Sequence, residues 1–259
     1  MTNATSNVPN YVPVEEARKL PGIRIAFCQG VPGPWGIAAR AIYELKGLDF
    51  VAVPQIGGGE NNELKEWTGQ TSAPVLMRND DRIRTQWSEM LVLAEQLQPE
   101  PCLIPSDEED RITMFGISHE ICADDGLGWN IRLLAFYDQR KENVSDYEAI
   151  FDKYGSPVSY DYICGRIVTI LDALANRLMR QSDRDSRYLV GDSLTAADIY
   201  WTAFSNLIRQ MPDELCVKPE FYAGLDEKLC SHLNWNIPHI LLEHRDHVVR
   251  TYFKTPIAF

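Results

Sequence analysis

Ile23-Arg24-Ile25-Ala26-Phe27-Cys28-Gln29-Gly30-Val31-Pro32-Gly33-Pro34-Trp35 holds the first regular pattern in the chain, and its reading decides the fold. Apolar and polar residues alternate from Ile23 to Phe27 behind a β-branched start, which predicts a strand. Gln29 to Pro34 reads as a loop by its glycines and prolines. From Trp35 the period changes: Ile37, Ala38, Ala41, Ile42 and Leu45 recur at helical spacing, and Lys46-Gly47 supplies a cation and a glycine stop. Phe50-Val51-Ala52-Val53 is a second strand. Residues 23–53 therefore read as strand, helix, strand, a right-handed crossover that makes the two strands parallel.

Outward from that unit, residues 1–21 form an N-terminal arm carrying Pro9, Pro13 and Pro21, either ordered or loose. Downstream, Ala73-Pro74-Val75-Leu76-Met77 predicts a short strand. Asn79-Asp80-Asp81 marks a turn, so Ile83 is expected on the return strand of a hairpin. Ser88 to Leu97 reads as a helix with Met90, Leu91, Leu93, Ala94 and Leu97 on its apolar side. Pro99, Pro101 and Pro105 then break the pattern, making 99–107 the linker. Beyond it the chain reads as helical to its end. Ile163, Ile167, Ile170, Leu171, Leu174 and Leu178 mark one long helix. Thr195-Ala196-Ala197-Asp198 is a capping box opening an aromatic-rich helix through Leu207. The division expected is an arm at 1–21, a small α/β domain at 22–98, the linker and an all-helical domain at 108–259.

The chain has 259 residues, enough for one large domain or two modest ones with a sizeable core. Its 25 Lys and Arg against 37 Asp and Glu give a net charge of -12, which disfavours nucleic acid and anionic membrane surfaces. The charge is uneven: residues 1–100 hold 9 basic and 12 acidic side chains, and 101–259 hold 16 and 25. No basic-then-apolar leader opens the sequence, no apolar run is long enough to span a bilayer, and the six cysteines form no C-x-x-C pair. A cytoplasmic protein with reduced thiols is expected, and the Asn-x-Ser/Thr triplets at Asn3 and Asn143 are chance matches.

Four segments in order resemble the glutathione transferase superfamily. Glu44-Leu45-Lys46-Gly47-Leu48 is similar to the end of that family's first helix, and Ala73-Pro74-Val75-Leu76 to its cis-proline segment. Pro99-Glu100-Pro101-Cys102-Leu103-Ile104-Pro105-Ser106-Asp107 resembles its interdomain linker. Tyr188-Leu189-Val190-Gly191-Asp192-Ser193-Leu194-Thr195-Ala196-Ala197-Asp198 resembles its capping-box segment. The resemblance implies a thioredoxin-like βαβ-ββα domain followed by an all-α helical bundle, glutathione as co-substrate, a small apolar second substrate and a homodimer. It implies that Ala73, before Pro74, pairs its backbone with the cysteinyl part of glutathione as an added strand would. The γ-glutamyl carboxylate would dock at the start of the helix before the linker, on free amides and the positive helix end.

Two positions depart from the family pattern. Gly33 stands where a Ser or Cys usually precedes the proline, so the residue that assists thiolate formation is unassigned, with Cys28 and Gln29 as the nearby candidates. Thr85-Gln86-Trp87-Ser88-Glu89 replaces a clear Glu-Ser. Gln86-Trp87 is the favoured register, with Ser88 as a substitute donor, against Thr85-Gln86 and Glu89-Met90. Backbone amides at Gly30, Gly33 and Gly36 are a further source of thiolate stabilisation, and Arg78, Arg82 or Arg84 of attraction for an anion. Trp35 is expected to anchor the core or wall the acceptor pocket. His119, Glu120 and Trp129, where glycines and carboxylates kink the helical domain's first long helix, are the acceptor-side candidates.

Gly30, Gly33 and Gly36 are spaced G-x-x-G-x-x-G, which is not the dinucleotide fingerprint. His239, Glu243, His244 and His247 read as a solvated polar face beside Arg245 and Arg250, so no metal is expected. The chemistry implied is attack of the glutathione thiolate on an apolar electrophile, whether conjugation, ether cleavage or reductive removal. The alternatives are a non-catalytic binding protein of the same fold, and a glutathione-dependent isomerase or dehalogenase.

Overall fold

A computed structural model describes residues 7–137 and 159–259; the triplets at Asn3 and Asn143 lie outside them. The chain divides into two compact units, Met1–Leu103 with Met211–Glu220 and Val248–Phe259, and Ile104–Gln210 with Phe221–His247. This division differs from a single helical piece over 108–259, because 211–220 and 248–259 belong with the first unit.

In the first unit β1 (Ile23–Cys28) is the central strand of three, in the order β2-β1-β3. It pairs in parallel with β2 (Phe50–Gln55) and antiparallel with β3 (Val75–Arg78). The crossover is α2 (Pro34–Leu45), as the change of period at Trp35 predicts. Alternation along β1 sends Ile25 and Phe27 to one sheet face and Ala26 to the other. Phe27 lies under α2, where a Cβ on Gly36 would stand 3.6 Å from its ring. Ala26 joins Val53, Val75 and Met77 in a cluster closed by Val14 and Ala17 of α1 (Val14–Ala17) and Leu64 of α3 (Asn62–Thr68).

In the described part of the arm, Tyr11 bridges Ala52 in parallel, and Val12 N–H donates to the Ala52 carbonyl at 2.9 Å. The hairpin is shorter than expected. Ile83 is on no strand, and the return is a single bridge between Leu76 and Arg84, with backbone bonds of 2.9 and 3.0 Å. The reason is sequence length, since Gln86 already caps α4 (Trp87–Leu97) and leaves no residues for a second full strand.

Lys46 has a role that its place at a helix end did not disclose. Its side chain is fully buried and its Nζ lies 2.6 Å from Glu95. The same ammonium donates to the carbonyls of Gln98 (2.8 Å), Pro99 (3.3 Å) and Pro101 (2.8 Å). Pro99 and Pro101 lack N–H donors, and one cation satisfies their carbonyls together with that of Gln98.

The second unit is helical in its described residues: α5 (Glu108–Cys122), α6 (Leu127–Ala135), α7 (Tyr160–Ser182), α8 (Ala196–Ser205), α9 (Leu225–Leu233) and the first part of α10 (His239–Tyr252), whose end belongs to the first unit. The apolar stripe of α7 is buried as its spacing predicts, each such side chain contributing about 1.5–3 kcal/mol. Every residue of α8 is buried, so its polar groups must be paired internally. Asp198 does this. Its carboxylate accepts from Thr195 N–H and Oγ1 (2.8 Å each), Leu189 N–H (2.7 Å) and His244 Nε2 (2.9 Å). His244 and Arg245 are thus core residues and not the solvated face that the sequence suggested. The aromatic-rich helix also stops at Ser205, short of Leu207.

Replacing Lys46 with Met removes the cation, leaves three carbonyls without their donor and leaves Glu95 with Leu103 N–H but no countercharge. The expected loss is about 3–5 kcal/mol, read as a lower urea midpoint, with faster proteolysis at 98–101. Unchanged proteolysis there would show that the linker is held by something else.

Candidate functional site

Strand register brings the chemistry-bearing segments of the first unit to one end of its sheet. Val75 pairs with Ala26 in antiparallel sense, so Pro74 comes level with Phe27, just before the β1–α2 loop. Arg84 bridges Leu76 antiparallel, so Gln86 comes level with Pro74. The β1–α2 loop, the Ala73-Pro74 step and the starts of α2 and α4 therefore share one sheet edge. The Ala73-Pro74 peptide is cis, the isomer that the local resemblance implies. Ala73 and Pro74 are half-buried.

Gly33 is the N-cap of α2, in extended conformation, with Pro34 following and no side chain capping the helix. A Cβ built on Gly33 would meet nothing within 4 Å, so glycine is not required there by space or by backbone. The Gly36 amide lies ahead of the first intrahelical bond, which runs from Ile37 N–H to the Gly33 carbonyl at 2.9 Å. Gly30, in contrast, has φ of +74 and its N–H donates to the Phe259 carbonyl at 2.9 Å. The Gly33 N–H likewise donates to the Val31 carbonyl at 2.8 Å, which corrects the expectation that all three glycines present amides to a ligand. Phe259 seals the position, with its ring edge-on to Phe27 at 5.4 Å.

Cys28 ends β1 half-buried, its sulfur 3.2 Å from where a Gly57 Cβ would stand, so it lies against the glycine loop that follows β2. Gln29 is exposed and its N–H donates to the Gln55 carbonyl at 2.9 Å. Trp35 is half-buried in the first turn of α2.

At α4 the helix begins at Trp87 behind Gln86, the favoured register. Gln86 is exposed, and Trp87 and Ser88 are half-buried. Glu89 turns back so that its carboxylate accepts from Thr85 and Gln86 N–H at 3.4 Å each. Arg82 pairs with Glu89 and, with those amides, holds its carboxyl below the usual range against opposing burial. Arg84 pairs with Asp81 at 2.7 Å. Two of the three arginines expected to attract an anion therefore already face carboxylates.

In the second unit the expected kink is a complete break. α5 ends at Cys122, and Gly126 caps α6. A Cβ on Gly126 would stand 2.7 Å from the Ala123 carbonyl and 2.9 Å from that of Glu120, so only glycine closes this turn. His119 is exposed in the last turn of α5, and Trp129 is half-buried in α6. Glu120 is ion-paired with Arg166 at 2.8 Å, and the same guanidinium reaches Asp125 at 3.2 Å. Burial opposes the Asp125 charge, yet donation from Tyr162, Asn130 and Arg166 keeps its carboxyl below the ordinary value. Among the described residues, no group of three or more His, Cys, Asp or Glu is placed to hold a metal ion, and no helix is long and apolar enough to cross a membrane.

Solved structures match this architecture over most of its length. A glutathione S-transferase from Methylobacillus flagellatus, solved with GSH bound, aligns with a TM-score of 0.63 at 15% identity, covering 92% of this chain and 100% of its own. The fold is that of the glutathione S-transferases. A glutathione S-transferase from Methylobacterium radiotolerans in complex with glutathione sulfonate gives 0.58 at 18% identity, over 92% and 95%. A maleylacetoacetate isomerase from Anaeromyxobacter dehalogenans gives 0.55 at 16%, over 91% and 90%. No protein-family model and no curated protein matches the chain. In this fold the first unit corresponds to the thioredoxin-like domain, here three strands and a bridge, and the second to the helical domain.

The Glu120–Arg166–Asp125 cluster yields a pH test. A carboxyl held low in the folded state stabilises above its unfolded pKa of about 4, and that contribution is lost as pH falls through the folded value. Arg166→Gln should cost about 0.5–1 kcal/mol at pH 7. The gap to the parent protein should narrow in urea melts as pH falls below about 4. A gap independent of pH would show that Arg166 acts through packing alone.

Proposed function

We propose that the protein is a glutathione-dependent transferase in which the tripeptide's thiolate attacks a small apolar electrophile. The observation that carries this reading is the cis Ala73-Pro74 step at the same sheet end as the starts of α2 and α4. In the family this fold resembles, the residue before such a proline pairs its backbone with an extended peptide as an added strand would. Two helix starts at one sheet end supply the positive potential that an anionic peptide needs on a chain of net charge -12. Ala73 supplies the backbone contact. Gln86, Trp87 and Ser88 form the carboxylate end, with Ser88 as hydroxyl donor. Trp35 stands on the thiol side, while His119, Glu120 and Trp129 are the acceptor-side residues on the helical domain. Glutathione is co-substrate, and the protein acts as a soluble cytoplasmic homodimer.

Gly33 favours a second reading. With no hydroxyl or thiol at the α2 N-cap, thiolate formation falls to the Gly36 amide and the α2 helix end, with Cys28 and Gln29 as the remaining side chains, and a non-catalytic binder of the same fold needs none of them. Glutathione titration followed by calorimetry separates glutathione binding from its absence, and no binding at millimolar concentration removes the transferase and leaves a binder of some other ligand or partner. Gly33→Ser separates the two readings from each other. Its Cβ meets open space, and Ser is an accepted N-cap, so the variant should fold. A transferase should gain about 10²-fold in thiol conjugation, the scale of one well-placed oxyanion donor. Glutathione binding without turnover in either protein would favour the binder.

A further inference from the structure

The helical unit contains a cavity of about 350 Å³ between the end of α7, the segment that follows it, and α10. Leu178 and Ile240 give it apolar walls, and Arg187, His244 and His247 line it together with Glu243. Its volume is at the small end of ligand pockets. No residue of the proposed glutathione site contributes to it.

The basic groups here are unequal in their engagements. His244 is held by Nε2 to Asp198 Oδ1 at 2.9 Å, with its side chain only 2% exposed. Asp198 also receives Thr195 and Leu189 and acts as an acceptor, which makes Nε2 a donor. The other nitrogen, Nδ1, is buried without a hydrogen-bond partner, and it donates to an anion only when the ring carries both protons. Arg187 is exposed at the rim. The one acidic rim residue, Glu243, is engaged by His239 at 3.3 Å. Two imidazoles and a guanidinium therefore converge on a partly apolar cavity.

We infer that this cavity is a binding site for a small organic carboxylate, with the anion against Arg187 and the two imidazoles and the hydrocarbon against Leu178 and Ile240. A monoanion fits better than phosphate, since a second negative charge would face Glu243 and gain no second guanidinium. The groups facing His247 are Arg187 and Tyr188 from the segment after α7, Asp198 from α8, and Glu243 and His244 from its own helix. Burial first, then Arg187 and His244, push the His247 pKa down, while Asp198 opposes. A bound carboxylate adds a negative charge beside that imidazole and favours its protonated form, so binding should tighten as pH falls.

The test uses the full chain with benzoate, hexanoate and inorganic phosphate as probes, and the imidazole NMR signals of His244 and His247 as the readout. Benzoate or hexanoate should shift these signals saturably in the millimolar range or below, more tightly near pH 6 than near pH 8. Arg187→Gln should weaken that binding about ten-fold with Tm unchanged, since Arg187 is exposed. Phosphate should bind at least about ten-fold more weakly than the better carboxylate. No saturable shift with either carboxylate, affinity unchanged by Arg187→Gln, or phosphate binding as well as the carboxylates would each overturn the assignment. Glutathione binding is read separately by calorimetry, so failure here leaves that reading untouched.

Discussion

The Arg40 guanidinium holds the first unit closed. It lies buried on α2, donates to the carbonyls of Asn7 and Ala258, pairs with Glu44 at 2.8 Å and sits over the Phe259 ring at 5.5 Å. One side chain thus fastens the N-terminal arm and the C-terminal segment to the helix that opens at Gly33. A guanidinium suits this work because its donors diverge in a fixed plane and it stays charged when buried. Ala258 is buried, so its carbonyl needs a donor such as this one. The placement of Phe259 against Gly30 depends on this anchor.

Asp198 plays the corresponding part in the helical unit, with opposite sign. It caps its own helix, fixes the preceding turn through Leu189 and reaches α10 through His244. Trp201, one turn on, donates to the Leu241 carbonyl at 3.1 Å and pins the same two helices again. A fully buried helix such as α8 tolerates an acidic residue because each carboxylate oxygen is answered by a donor. Together, Lys46, Arg40 and Asp198 show a consistent device: each unit uses a buried charge to satisfy backbone groups that no strand or helix ladder reaches.

What the residues disclosed in advance was whatever depends on near neighbours. The β1–α2–β2 crossover, the strand at Val75, the capping box at Thr195 and Asp198 and the Gln86 helix start all follow from periods and caps spanning a few positions. The missing return strand at Ile83 follows from a competition that pattern alone does not weigh, between a hairpin and the helix start three residues later. His244 read as part of a solvated face, Lys46 only as a cation at a helix end and Arg40 carried no signal, because their partners are carbonyls and carboxylates far along the chain and backbone groups carry no sequence signature. The site was half legible. Ala73-Pro74 and Gly33 were found by local pattern, whereas the engagement of Gly30 by Phe259 and of Glu120 by Arg166 depends on tertiary contacts. The fold's resemblance was readable in four short segments; the reaction is not, since it is set by side chains that this fold varies freely.

The assignment of 248–259 to the first unit bears on how the molecule assembles. Gly30 and Phe259 touch although nearly the whole sequence separates them, which is about the longest loop closure the chain offers. Contacts of such separation slow folding and are made late. The α/β layer can collect its sheet early, but the β1–α2 loop gains its contact with Phe259 only after residues 248–259 have been made. During synthesis, closure of that loop by Phe259 therefore waits until the intervening residues of the second unit have been made.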